Sequence, residues 1–259
     1  MGQLDGRVAA ITGGTAGIGR GIAEGFLAEG ASVALNGRNK EKGDRVIGEL
    51  NVGDRAIFLP GDVMKGEEID AFIDNTKAHF GHLDILVNNA GGAAVLLPTV
   101  DMPFDDWEFT IRWNLHSTFI ATKRALPGMI EQGWGRIINI SSVEGKVGKP
   151  VITAYVAAKH GIVGFTKGVA REVGTTGVTV NSICPGIVLT DIVRENGPRT
   201  AAAMGITFDE MINLYTSESC IQRPITIEEV ANAAVMLASD LGAGITGAAI
   251  SVDGGTSPY

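Results

Sequence analysis

Cysteine is nearly absent from this sequence: there are two, Cys184 and Cys220, in 259 residues. Two thiols at that spacing make neither a disulfide framework nor a metal-binding set, and a reducing cytoplasm is the expected setting. The four histidines, His79, His82, His116 and His160, show no grouping with acids or cysteines, so no metal is expected either. Charge is sparse, at 19% of residues, and its balance is acidic: 21 basic against 29 acidic side chains give −8. No run of basic residues offsets this, which argues against nucleic acid as a partner. Long apolar stretches are missing too. Ile85 to Val100 and Val173 to Thr190 are uncharged, but Asn88, Asn89, Gly91, Gly92 and Pro98 break the first, and threonines, Pro185 and Gly186 the second. A spanning helix needs roughly 20 mainly apolar residues, so no membrane partner is expected. Asp5 and Arg7 interrupt the amino end before any apolar run, against a signal peptide.

What is present is a strongly apolar chain, 45% hydrophobic with 36 glycines. Short apolar runs alternate with helical patterns. Strands are predicted at Val8 to Ile11, Ser32 to Asn36, Ala56 to Leu59, Asp84 to Asn88, Arg136 to Ile140, Val178 to Ile183 and Ala248 to Val252. Helices are predicted at Ile18 to Glu29, Lys40 to Leu50, roughly Gly66 to Phe80, and Thr153 to Val173. The strands are near-continuous apolar runs, as expected when helices cover both faces of a parallel sheet. No linker or internal repeat breaks the alternation. The reading is α/β: one doubly wound, Rossmann-type domain over residues 1–259 with a seven-stranded parallel sheet.

The first predicted strand runs into Thr12-Gly13-Gly14-Thr15-Ala16-Gly17-Ile18-Gly19. Glycine lets a backbone turn sharply and approach a pyrophosphate, and a helix starting there presents free N–H groups to the anion. The position between first strand and first helix favours a dinucleotide site over a bare turn. Asp62 and Val63 follow the third strand. There the carboxylate could accept from an adenine amino group or, equally, cap the next helix. Asn88-Asn89-Ala90-Gly91 closes the fourth strand, and open α/β folds bind ligands beyond the carboxyl ends of their strands.

Tyr155 and Lys159 are four residues apart on one predicted helix and therefore on one face. A phenol loses its proton near pH ~10. A neighbouring ammonium lowers that value and fits the phenol for exchanging a proton with a substrate oxygen. Ser142 ends the fifth strand, and the loop after it could bring its hydroxyl beside the phenol to steady developing charge. By spacing alone this would be an ordinary tyrosine, lysine and serine.

The conjunction is not ordinary. With T-G-x-x-x-G-I-G at 12–19, N-N-A-G at 88–91, Asn114 in Trp113-Asn114-Leu115, Ser142, Y-x-A-A-K at 155–159 and P-G at 185–186, the chain resembles the short-chain dehydrogenase/reductase family from Val8 to Gly255. The type resembled is the extended-sheet, single-domain form, similar to 3-oxoacyl reductases and to hydroxysteroid and polyketide ketoreductases. The resemblance implies an oxidoreductase moving hydride between a nicotinamide cofactor and a ketone or secondary alcohol. It implies a catalytic tetrad of Asn114, Ser142, Tyr155 and Lys159. Tyr155 is then the acid/base. Lys159 tunes it and holds the nicotinamide ribose, Ser142 orients the carbonyl, and Asn114 holds a relay water. Cofactor contacts are expected from Gly13, Thr15, Gly17, Ile18, Gly19, Arg38, Asp62, Val63, Asn89, Ala90, Gly91, Pro185, Gly186, Val188 and Thr190, besides Tyr155 and Lys159. Substrate contacts are expected from Ser142, Glu144, Tyr155, Gly186, Ile187, Met204, Phe208 and Met211. A homotetramer is expected, with the segment Val252 to Tyr259 where relatives make subunit contacts. A catalytically silent cofactor-binding regulator is the non-enzyme alternative, and the complete tetrad argues against it.

Two finer expectations follow. NAD-preferring enzymes place a carboxylate at the end of the second strand, about 20 residues past the glycines. Here Asn36-Gly37-Arg38 has none, and Arg38 could pair with a 2′-phosphate, so NADP(H) is expected over NAD(H). Against this, Arg38 could be a solvated loop residue, and Ala16 stands where NADP-preferring relatives often have a second basic residue. The segment at about 187–223 is expected to cover the substrate. It is rich in apolar residues, although Phe208 to Tyr215 has helical spacing that could pack on the core. Relatives that take an acyl-carrier protein tend to have basic residues where this chain has Gly133 and Thr176, so a free hydrophobic or cyclic ketone or alcohol is expected. A 3-oxoacyl thioester, on carrier protein or CoA, is the alternative.

Overall fold

The computed structural model describes residues 2–257. In chain order the elements are β1 (Val8–Ile11), α1 (Gly17–Ala28), β2 (Ser32–Gly37), α2 (Lys40–Leu50), β3 (Ala56–Pro60), α3 (Gly66–Phe80), β4 (Ile85–Asn88), α4 (Phe104–Ile111), α5 (Ser117–Glu131), β5 (Gly135–Ile140), α6 (Thr153–Val173), β6 (Val178–Pro185), α7 (Asp191–Ala203), α8 (Phe208–Ser217), α9 (Ile227–Ala238) and β7 (Ala249–Val252). The seven strands form one sheet in the order β3-β2-β1-β4-β5-β6-β7, every pair parallel. This is the Rossmann-type α/β sheet the sequence predicts.

Every residue of β1, β4, β5 and β6 is buried, whereas the outermost β3 and β7 are partly exposed. Burial on both faces is why the central strands read as unbroken apolar runs. One apolar cluster, including Ile22, Phe26, Val33, Ile138 and Val230, lies under α1 and α9. The other, including Ile69, Phe72, Leu86, Met129 and Val180, lies under α3, α5 and α6. The strand order reverses between β1 and β4. The crevice beyond their carboxyl ends is where such sheets bind ligands.

Two regions differ from the sequence prediction. The stretch between Asn88 and Arg136, for which the sequence predicts no element, holds α4 and α5. The segment at 187–223 holds two helices, where only Phe208 to Tyr215 shows helical spacing. Gly197 and Pro198 inside α7 hide its pattern. Such residues lower intrinsic helix propensity, and here packing overrides it: Phe208 lies so close that a Cβ on Gly197 would be 2.2 Å from its ring.

Candidate active site

The glycine loop joins β1 to α1 with the geometry an anion needs. Gly17 opens the helix with a φ of +51°, and no side chain caps the first turn. A Cβ on Gly19 would fall 2.4 Å from Asn89 Nδ2 and 2.5 Å from the Gly13 carbonyl. Only glycine lets the loop lie that close to the end of β4. The two loops are then tied together: the Thr12 hydroxyl accepts from the amides of Asn89 and Ala90 at 3.0 and 3.1 Å, and Asn89 Nδ2 donates to the carbonyls of Thr12 and Gly13. Thr190, at the start of α7, closes the far side, where a Cβ on Gly17 would be 3.0 Å from its methyl group. A cradle of uncapped amides bordered by Thr190 and Asn89 fits a dinucleotide pyrophosphate.

At the end of β2 the side chains are laid out without a carboxylate. The Asn36 amide is spent on the carbonyls of Leu59 and Gly61. Gly37 faces Thr15, whose hydroxyl would be 3.2 Å from an added Cβ. Arg38 is exposed. Asp62 accepts from the Met64 amide at 3.0 Å, a turn-forming bond ahead of α3, so one of its carboxylate oxygens already has a partner.

The catalytic candidates converge at the carboxyl ends of β4 and β5. Between α4 and α5 the helix widens into a π-type stretch, Arg112–His116, in which the Ser117 amide reaches back to the Arg112 carbonyl. The widened turn frees carbonyls that side chains take up: Asn114 Nδ2 bonds Thr110 O, and the Ser117 and Thr118 hydroxyls bond Trp113 O and Asn114 O. Asn114, fully buried, also clasps Gly92, accepting from its N–H and donating to its carbonyl, both at 3.0 Å. Asn114 is thereby fixed at the β4 loop.

Lys159 is 3% exposed, and its Nζ donates to the Ile140 carbonyl at 2.9 Å. The ammonium is 5.4 Å from the centre of the Tyr155 ring. Burial lowers Lys159 to about 8, a fall that the negative potential of Cys184 and Glu144 opposes. Burial drives Tyr155 the other way, well above the usual phenol value. The Glu144 carboxylate adds to that rise, and a bond with Ser142 resists it. In the chain by itself burial therefore outweighs any lowering of Tyr155 by Lys159. Ser142 caps the short turn Val143–Gly145, and its hydroxyl donates to the Glu144 carboxylate.

The structure separates the other predicted residues. Gly186 packs on the Asp253 backbone, whose Cα would be 3.0 Å from an added Cβ. Val188 turns its side chain into the core, while its carbonyl accepts from Thr190 N. Met211 is buried at 2% exposure, Phe208 lies on α7, and Met204 is 43% exposed. Gly133 and Thr176 precede the amino ends of β5 and β6, the opposite end of the sheet from Ser142, so on this chain they do not border the site. Sequence reasoning missed Lys149. Its Nζ lies 3.7 Å over the ring of Tyr215 and 3.6 Å from Glu218, pinning α8 to the loop after Ser142. It also missed the thiol of Cys184 on β6, which is fully buried and whose burial pushes it above the usual thiol value. Neither has a spacing signal, because each meets its neighbours across the fold. Among the described residues no cluster of metal-ligating side chains forms, and no helix is long and apolar enough to cross a membrane.

Comparison with known proteins places this geometry. The sequence profile of the family described as short chain dehydrogenase matches residues 7–201. A D-beta-hydroxybutyrate dehydrogenase of Rhizobium meliloti is 43% identical, the match covering 96% of this chain and 98% of that protein. A 3-oxoacyl-(acyl-carrier-protein) reductase of Aquifex aeolicus is 35% identical over 98% of each. A crystal structure of an actinorhodin polyketide ketoreductase variant with NADPH superposes with a TM-score of 0.93 over all of both chains, at 34% identity.

Proposed function

The chain belongs to the short-chain dehydrogenase/reductase family, an NAD(P)-dependent oxidoreductase acting on CH–OH and C=O groups, and from that premise we propose that Tyr155 is its acid/base, that NADPH is its preferred cofactor, and that its substrate is a free ketone or secondary alcohol. What supports this reading most is the approach of Lys159 Nζ to within 5.4 Å of the Tyr155 ring centre, on the same side of the β4 loop that Asn114 clasps, at the point where the strand order reverses.

A bound nicotinamide dinucleotide would supply the hydride donor or acceptor. Its pyrophosphate would rest on the amides of Gly17, Ile18 and Gly19, with Thr190 opposite. Its adenosine half would lie along the end of β2, where the lack of a carboxylate and the free guanidinium of Arg38 suit a 2′-phosphate. The remaining chemistry belongs to the chain. Tyr155 gives its proton to the substrate oxygen in reduction and takes it back in oxidation. Lys159, held on Ile140 O, keeps positive charge near the phenol and would hold the nicotinamide ribose. Asn114 fixes the β4 loop beside them. A phenol raised by burial holds its proton firmly at neutral pH, which suits the reductive direction as the resting state. Subunits assemble as a homotetramer in the cytoplasm in this reading.

The test is turnover of NADH and NADPH against a panel of free ketones, alcohols and an acyl-carrier thioester. Tyr155-dependent reduction of free ketones with NADPH is the expected result. Efficient, salt-sensitive turnover of the carrier thioester alone would overturn the substrate reading.

A further inference from the structure

Lys159 is held to β5 at both ends. Its Nζ donates to the Ile140 carbonyl at 2.9 Å, and its own main-chain carbonyl accepts from the hydroxyl of Ser141, the next residue along, at 3.0 Å. A carbonyl oxygen has two lone pairs; the helix ladder takes one and Ser141 the other. Ser141 is 3% exposed, and its amide is fixed in turn by a 2.8 Å bond to the Ile183 carbonyl of β6. The contact is so close that a Cβ on Gly145 would lie 2.3 Å from Ser141 Oγ and 3.0 Å from Lys159 O, so the turn after β5 passes there only as glycine. Seven residues further along α6, on the same face, Thr166 accepts from Asn139 Nδ2 at 2.9 Å, and Asn139 Oδ1 accepts from Asn88 at 2.8 Å. Three successive residues of β5, Asn139, Ile140 and Ser141, thus bond one stripe of α6, between apolar neighbours such as Ala158, Ile162 and Val169. Apolar packing is non-directional and lets a helix slide, whereas these bonds set its height along the strand.

We propose that Ser141 is a positioning residue for the reaction: by tying the Lys159 main chain to β5 it fixes where the ammonium stands, and so readies the lysine for the nicotinamide ribose. This rests on the oxidoreductase reading above and adds a residue to its site. A lysine ammonium has three donors, and one is spent on Ile140 O, which leaves two for a ligand. Lysine has a long flexible stem and loses much rotamer freedom when it is ordered. With root and tip both tied to adjacent residues of one strand, that freedom is already restricted before a cofactor binds, and binding has less left to order. Ser141 acts only through Lys159: its hydroxyl is turned to the lysine carbonyl, and its effect on cofactor affinity depends on the amine being there.

The experiment is a double-mutant cycle read by binding. Dissociation constants for NADPH and NADH are measured by cofactor fluorescence in the wild type, Ser141→Ala, Lys159→Met and the double variant, with melting temperatures alongside. Ser141→Ala should weaken binding by about threefold to tenfold, the size of one neutral hydrogen bond. In the Lys159→Met background the same change should alter affinity by less than about 1.5-fold, because independent effects would multiply and these share one route. Gly145→Ala, which displaces the hydroxyl without removing it, should reproduce the loss seen in Ser141→Ala. Equal weakening with and without the lysine amine would show a merely structural serine and overturns the inference, as does wild-type affinity in a folded Ser141→Ala. A wild type that binds cofactor but reduces no ketone overturns the oxidoreductase reading, while the cycle still decides the role of Ser141. A wild type that binds neither cofactor overturns both.

Discussion

Gly91 and Asn114 fit against each other with no room for a methyl group: a Cβ on Gly91 would lie 2.3 Å from Asn114 Oδ1 and 3.6 Å from Lys159 Nζ. The β4 loop and the π-type stretch are thus held at the separation that seats Lys159. Gly91→Ala should push Asn114 off Gly92 and shift the lysine. A displacement of about 1 Å near reacting groups costs on the order of 10²-fold in rate. Steady-state kinetics with saturating NADPH should show a fall in kcat of that size, and retained wild-type turnover would remove Asn114 from the site.

Tyr155→Phe keeps the ring and removes only the hydroxyl. Turnover should fall by at least ~10²-fold. Cofactor binding, followed by the fluorescence of NADPH, should persist. Near-normal turnover would end the assignment of Tyr155 as acid/base.

Burial lowers Lys159 to about 8, so its ammonium is present below that pH and is lost as pH rises through it. If the charged form faces the ribose, the dissociation constant for NADPH should weaken as pH rises through about 8. In Lys159→Met affinity should be weaker throughout, and the step near pH 8 absent. A wild-type profile that is flat from pH 7 to 9 would contradict the role.

Arg38→Asp places a carboxylate at the end of β2, where it repels a 2′-phosphate and can accept from a 2′-hydroxyl. The ratio of kcat/KM for NADPH over NADH should drop by about tenfold or more, the loss of a charge-assisted contact. A ratio that does not move, or a wild-type enzyme already more efficient with NADH, would show that Arg38 is a solvated loop residue.

Asn114→Ala would leave the Gly92 amide and the carbonyls of Gly92 and Thr110 without their side-chain partner. Each unsatisfied buried group costs about 1–3 kcal/mol. The variant should melt several degrees below the wild type and lose activity. An unchanged melting temperature would mean that water or a backbone shift replaces the amide without cost.

The sheet was legible in the sequence because its cause is local. Strands buried on both faces must be continuous apolar runs, so β1, β4, β5 and β6 stand out, and Lys40–Leu50, Gly66–Phe80 and Thr153–Val173 carry plain helical spacing. The glycine loop was legible for the same reason, since the turn at Gly17 and the close approach at Gly19 admit no side chain. Helix α7 was not, because Gly197 and Pro198 argue against a helix that Phe208 nonetheless packs into place.

The sequence by itself determined the fold class, which follows from periodicity, and the glycine loop, which follows from what glycine geometry permits. The four candidate residues came from the family resemblance and not from spacing. Tertiary structure alone decided what these four candidates touch. Asn114 reaches the site through a widened helical turn that no spacing announces. Lys149 and Tyr215 meet across two loops. Tyr155 is raised, not lowered, in the chain alone, because burial depends on everything packed around a group. The proton of Ser142 goes to Glu144 because the turn at Val143–Gly145 folds the carboxylate back on the hydroxyl, a contact that depends on backbone angles and not on residue order.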